Sequence, residues 1–199
     1  MRLACALPIL MAHCEPQATS NPPAAAPPQA SVATTAAPSP ASAADRLPRP
    51  TVPGTIAAPA GQEVVLKAAA KGDQVYTCKE KEGARGVYEW TLKAPDAMLF
   101  DETGKAIGKH YAGPTWELVD GSKVGGKVRA KVDSPDAGAI AWLLLETTSN
   151  AGNGRLGAAK SVQRVDTSGG MAPASGCDAA HVNSEARIAY AATYYFYGP

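Results

Sequence analysis

Little in this 199-residue chain marks a metal site, a nucleic-acid binder or a familiar catalyst. It holds three histidines, four cysteines and two phenylalanines, and its formal net charge is +1. From residue 52 onward Lys+Arg and Asp+Glu stand at sixteen each. The phosphate backbone of a nucleic acid is tracked by clustered Lys and Arg, and no such block is present, so no nucleic-acid partner is expected. Cys-x-x-Cys, H-x-H and H-x-x-x-H spacings are all missing, so neither a redox pair nor a local zinc site is encoded, and no metal and no cofactor are expected. A G-x-S-x-G elbow is missing as well, which removes the commonest strand-borne serine nucleophile. No segment repeats apolar residues at helical spacing, although residues 178–187 have room for a single turn or short helix.

What is present divides sharply. The chain opens "MRLACALPILMAHC", where one Arg precedes an apolar run from Leu3 to Ala12. That run is much too short to span a bilayer but fits a secretory signal over residues 1–14. Cys14 is a lipidation candidate, with His13 departing from the small-residue pattern that normally precedes such a cysteine. Residues 15–51 form a Pro/Ala-rich linker: between Glu15 and Pro50 nine residues are Pro, eleven are Ala and four are charged. Without large apolar side chains such a segment cannot offset its chain entropy, so a semi-rigid disordered spacer is expected. Residues 52–199 carry Val, Ile, Leu, Trp and Tyr at regular intervals and are long enough for a core of their own.

Export bears on the cysteines. Cys5 would leave with the signal; if Cys14 carries lipid, Cys78 and Cys177 remain as an even pair, and if it stays unmodified it is an odd free thiol in the tail. A disulfide between them would enclose 98 intervening residues and, on the chain-entropy model, stabilise the fold by about 4–5 kcal/mol. The alternative is two buried free thiols.

Periodicity in residues 52–199 is that of strands. "KVRAKV" alternates Val128, Ala130 and Val132 with Lys127, Arg129 and Lys131, as a half-buried strand does. "VYEWTLK" places Tyr88, Trp90 and Leu92 on one face. "AIAWLLLE", 139–146, reads as a strand covered on both faces, and "IAYAATYYFY", 188–197, as a closing strand. "KGD" at 71–73, "KEGARG" at 81–86, "DETGK" at 101–105 and Asp120-Gly121 read as turns. The expectation is an all-β domain, a single antiparallel sandwich or barrel of about nine or ten strands.

Candidate chemistry is sparse. "GNGRLG", 152–157, spells G-x-G-x-x-G, but no helix and second strand follow it as a dinucleotide site requires, so it reads as a flexible surface loop. The densest stretch is "GKHYAGPTWELVDG", 108–121. Here His110 with Glu117 or Asp120 forms a candidate acid–base set, because a histidine titrates near neutral pH. Gly113-Pro114 lies between them, so their relative orientation is open. Tyr111, Trp116 and Arg164 are candidate binding residues, and the three tryptophans with seven tyrosines have either a core or a pocket to fill.

"IGKHYAGPTWELVDGSKVGGKV", "AIAWLLLE", "VQRVDTSGGMAPASGCD" and "AATYYFY" resemble the domain of unknown function numbered 3455, a group of exported bacterial and fungal proteins. The likeness covers roughly Val52 to Tyr197. It brings no established activity and no assigned site residues. Some fungal members carry a malate dehydrogenase label, which this chain does not support, lacking a βαβ unit. The leading expectation is an exported ligand- or partner-binding module, periplasmic, secreted or tethered. Its partner would be a small molecule, glycan or protein, and its one membrane contact a lipid anchor. The alternative is a hydrolase-like enzyme using His110 with a nearby carboxylate.

Overall fold

Eight antiparallel strands, each hydrogen-bonded to its neighbours in chain order, curl until the last pairs with the first and the sheet closes into a barrel. This is a computed structural model that describes residues 46–199; the signal-like segment, Cys14 and most of the linker lie outside the described residues. The strands are β1 (Glu63–Glu80), β2 (Tyr88–Phe100), β3 (Ala106–Tyr111), β4 (Thr115–Leu118), β5 (Lys123–Val132), β6 (Trp142–Ala151), β7 (Ser161–Gly169) and β8 (Glu185–Gly198). Among the described residues the helical content is one 3-10 turn at Gly54–Ile56, and residues 178–184 are turns rather than a helix.

Of the two architectures left open, the barrel is the one adopted, and it has eight strands rather than nine or ten. The difference lies in β1 and β2. "KGD" is not a turn: β1 runs straight through it, with Gly72 paired both to Ala97 of β2 and to Tyr190 of β8. A Cβ at Gly72 would lie 2.2 Å from the Asp96 carbonyl oxygen, so this glycine serves a close approach of backbones inside a strand. Likewise Tyr88 to Lys93 of "VYEWTLK" and residues 97–100 lie in one strand, β2, which continues through Pro95. The remaining turns stand as expected, including Asp120-Gly121 between β4 and β5, where Gly121 has φ +81°.

Inward residues fall into cross-strand rows. Leu143, Arg164, Tyr194 and Ala68 make one row; Tyr190, Gly72, Ala97, His110, Trp116 and Val124 make another. Small residues face large ones: Ala68 lies opposite Tyr194 and Gly72 opposite Tyr190, which makes room for the rings in a narrow barrel. Outward positions carry Lys93, Asp96, Lys109, Glu117, Lys127 and Glu146, most of them in surface ion pairs. Polar outside and apolar inside is the reverse of a membrane-spanning barrel, so this wall faces water.

The two ends differ. At the end holding the β2–β3 and β4–β5 turns, Leu66, Leu99, Leu118, Val162 and Phe196 fill the interior. The β6–β7 loop closes it. "GNGRLG" is therefore more than a surface loop: Leu156 is 0% exposed within that core. Asp120 fixes the loop by accepting a 2.9 Å hydrogen bond from the Arg155 backbone N–H, and the Leu156 N–H donates to Ser122 Oγ at 3.1 Å. A Cβ at Gly154 would meet the Asp120 carboxylate at 2.3 Å, and Cβ atoms at Gly152 and Gly157 would meet the backbone oxygens of Gly121 and Gly152, so the loop's glycines serve close packing of the loop.

At the opposite end the chain relies on cross-links. Cys78 and Cys177 form a disulfide with Cα atoms 5.3 Å apart, joining β1 to the loop between β7 and β8. Trp90 Nε1 donates to the Ser175 carbonyl at 2.9 Å, and the Tyr76 hydroxyl to the Gly170 carbonyl at 2.6 Å. "KVRAKV" is less buried than its alternation suggests. Val128 is 52% exposed, because a bulge between Val128 and Ala130 breaks the register near an unfilled interior.

The last residues assigned to the linker belong to the fold. Leu47 and Val52 pack on an outer cluster of Ala58, Val64, Val165, Tyr195 and Tyr197, with Trp142 beside it. The Arg49 guanidinium sits 5.3 Å from the centre of the Tyr197 ring. Beneath this strap Gln163 Nε2 donates to the Ile56 carbonyl and the Tyr197 hydroxyl donates to Gln163 Oε1, so the buried amide of the "VQRVDTSGG" stretch is a structural tie.

Candidate functional site

The β3–β4 hairpin sorts the dense 108–121 stretch onto two faces. Successive strand residues point oppositely, so His110 and Trp116 turn inward as a cross-strand pair while Tyr111 and Glu117 turn outward. Inside, the His110 ring stacks on Trp116 with centroids 4.4 Å apart and planes 6° off parallel, and Tyr194 meets both edge-on. His110 Nδ1 donates to the Thr115 carbonyl at 2.9 Å, which leaves Nε2 as the acceptor of a neutral ring. Burial lowers its pKa to about 4; the Thr115 bond opposes this, and the Arg164 charge adds to it.

Above these rings, toward the cross-linked end, lies a cavity of about 230 Å³. Apolar groups dominate its wall, among them Ala94, Pro95, Pro114, Leu143 and Leu145. Leu92 and Val128 reach it from positions 50% and 52% exposed, so the cavity opens to solvent there. Its polar groups are Gln74, His110, Trp116, Arg164, Tyr194 and, at the edge, Lys93; its lining includes no Asp or Glu.

Several of these groups lack partners. Gln74 Nε2, Trp116 Nε1 and the Tyr194 hydroxyl are buried and make no hydrogen bond of acceptable geometry among the described residues, although Arg164 and Tyr190 lie close to the Tyr194 oxygen. Burial pushes the Tyr194 hydroxyl pKa up, so it stays protonated and able to donate. A buried polar atom without a partner costs roughly 1–3 kcal/mol, and three of the six such atoms among the described residues belong to side chains that line this cavity, the others being on Trp142, Thr147 and Tyr190. Arg164, half-buried, donates through Nε and Nη2 to the Ala141 carbonyl at 3.1 and 2.8 Å, and forms no ion pair among the described residues.

Of the residues singled out in the sequence, His110, Trp116 and Arg164 converge here and the others do not. Glu117 lies on the outer face, where the Tyr111 hydroxyl donates to it at 2.7 Å and Lys123 and Lys109 stand 3.3 and 3.7 Å away. The Tyr111 hydrogen bond first, then Lys123, holds its carboxyl below the usual range. Asp120 sits at the packed end; its low pKa follows from the Ser122 hydroxyl first and the Arg155 amide next. The His110–carboxylate set that a hydrolase would use is thus not assembled, since neither acid lines the cavity. Tyr111 faces outward with Glu117 and is likewise absent from the wall. Among the described residues no three His, Cys, Asp or Glu side chains are placed to hold a metal ion.

Gln74 and Tyr194 escaped the sequence reading. Gln74 ends the inward series Ala68, Ala70, Gly72, and a polar residue closing a run of small ones on one face was the available sign. Tyr194 lies within "TYYFY", where both faces are buried, so alternation carries no information there.

Comparison with known proteins agrees with the motifs. No curated protein and no solved structure matches the chain. The family model described as protein of unknown function (DUF3455) matches residues 59–198, from the strap before β1 to the end of β8, and so covers every strand. The chain belongs to that family.

Proposed function

We propose that this protein is an exported binding module that holds a small molecule inside its barrel, in the cavity above His110 and Trp116. The observation that carries this is an apolar, solvent-connected cavity whose wall residues include His110, Arg164 and three side chains, Gln74, Trp116 and Tyr194, that each carry a buried polar atom without a hydrogen-bond partner among the described residues. A closed eight-stranded barrel has an interior that either fills with side chains or admits one small ligand, and here it does one at each end. The N-terminal signal-like segment and the Pro/Ala-rich linker support export, with Cys14 as the point of attachment if the domain is held at a membrane.

The test is a ligand-observed NMR screen of small fragments against the full chain and against Val128→Trp. Val128 is half-exposed at the rim, so a bulky ring there obstructs the cavity with little effect on folding. The native chain should bind a subset of fragments that Val128→Trp does not, with similar thermal unfolding. Equal binding by both proteins, or no binding by the native chain, overturns the proposal.

A further inference from the structure

Arg164 says more about what the cavity takes. Resting on the binding-module reading, we infer that the ligand is a single-ring carboxylic acid seated head-first, its carboxylate on the free edge of Arg164 and its ring among the apolar wall residues.

Three observations lead there. First, the Arg164 charge is not neutralised within the barrel. Lys93, the other cation at the cavity, is already 2.5 Å from Glu185, whereas Arg164 has no carboxylate partner among the described residues. Taking a cation partly out of water without a counter-charge is unfavourable, and a ligand anion removes the penalty. Second, one edge of the guanidinium is anchored and the other is not. Nε and Nη2 are both engaged by the single carbonyl of Ala141, which fixes the guanidinium plane. Nη1 and the outer N–H of Nη2 make no hydrogen bond of acceptable geometry among the described residues, although the Tyr194 oxygen lies close to the guanidinium; they form the fork that binds a carboxylate through two hydrogen bonds. Gln74, Trp116 and Tyr194 also line the cavity, and no Asp or Glu on its wall competes for the guanidinium. Third, the size is limiting. An apolar cavity of about 150 Å³ holds benzene. The volume here, about 230 Å³, holds such a ring with a carboxyl group attached, and the apolar rim at Leu92 and Val128 suits the ring rather than the charge.

Calorimetric titration of the full chain with benzoate, benzamide, benzyl alcohol and inorganic phosphate tests this. Benzoate should bind at least tenfold more tightly than the two neutral rings and than phosphate. Arg164→Gln should weaken benzoate at least tenfold while leaving benzyl alcohol within about threefold. Arg164→Lys, which keeps the charge and loses the fork, should fall between. If Arg164→Gln fails to fold, the ranking of probes on the native chain and Arg164→Lys still decide. Neutral rings binding as well as benzoate would overturn the acid while leaving the cavity reading intact. Phosphate competing on equal terms would overturn the ring. If none of the four probes binds while the fragment screen finds cavity ligands, the single-ring acid is wrong and the binding module stands; if both experiments are blank, both fall.

Discussion

The two ends of the barrel solve one problem in different ways. At the β4–β5 end the interior is filled: Leu156 enters from the β6–β7 loop and joins Leu66, Leu99 and Phe196. Stability there comes from apolar burial, at roughly 25 cal/mol per Å² removed from water. At the β3–β4 end the interior holds a cavity and unpartnered donors, so less apolar surface is buried and polar groups go unsatisfied. That end is held instead by a disulfide, by Trp90 on Ser175 and by Tyr76 on Gly170. The lesson is that space for a ligand is kept open where covalent and hydrogen-bonded ties replace packing.

The largest test of that contrast is to cut the staple. Replacing Cys78 and Cys177 together by Ala should cost about 4–5 kcal/mol on the chain-entropy model, read as a lower denaturant midpoint. An unchanged midpoint would mean that the hydrogen bonds suffice at the cavity end. Next is the plug. Leu156→Ala should cost about 3 kcal/mol, because it leaves a hole in a filled core. Leu92→Ala, at the half-exposed rim, should stay within about 0.5 kcal/mol. Equal losses from the two would erase the distinction between the ends.

After the plug comes an effect that appears only in acid and reports on His110. Its pKa is lowered to about 4 in the folded chain, against about 6.5 when unfolded. Between those values the unfolded chain binds a proton that the folded chain does not, so stability falls as pH drops from 6.5 toward 4 and this contribution is constant below that. By pH 5 the loss should reach about 2 kcal/mol relative to pH 7. His110→Gln should lack that part of the slope, measured by urea unfolding at several pH values. Parallel slopes would place the ring in contact with water.

Much of the fold was legible in the residues. Turn chemistry at 81–86, 101–105 and 120–121 sits where the chain reverses, because Gly and Asp satisfy turn geometry locally. The Cys78–Cys177 bond was one of two readings the sequence offered, beside buried free thiols, and the structure shows the bond. The strand count was overestimated at Gly72 and Pro95, where residues that usually break strands serve a close backbone approach and an inward wall instead. Half of the site was visible, since His110, Trp116 and Arg164 are chemically conspicuous. Gln74 and Tyr194 were not, because nothing local distinguishes an inward glutamine or tyrosine from an outward one.

The sequence by itself determined an antiparallel all-β domain, most of its turns and its family, and it offered Cys78 and Cys177 as a candidate pair, all of which rest on local pattern or composition. Tertiary structure alone decided that the sheet closes, since β1 and β8 are brought together only by the accumulated twist and stagger of every strand between them. It also decided which face each residue takes. A one-residue slip in β3 would exchange His110 for Tyr111 at the cavity wall, and only the closed register sets the histidine inside and its nearest carboxylate in sequence, Glu117, outside.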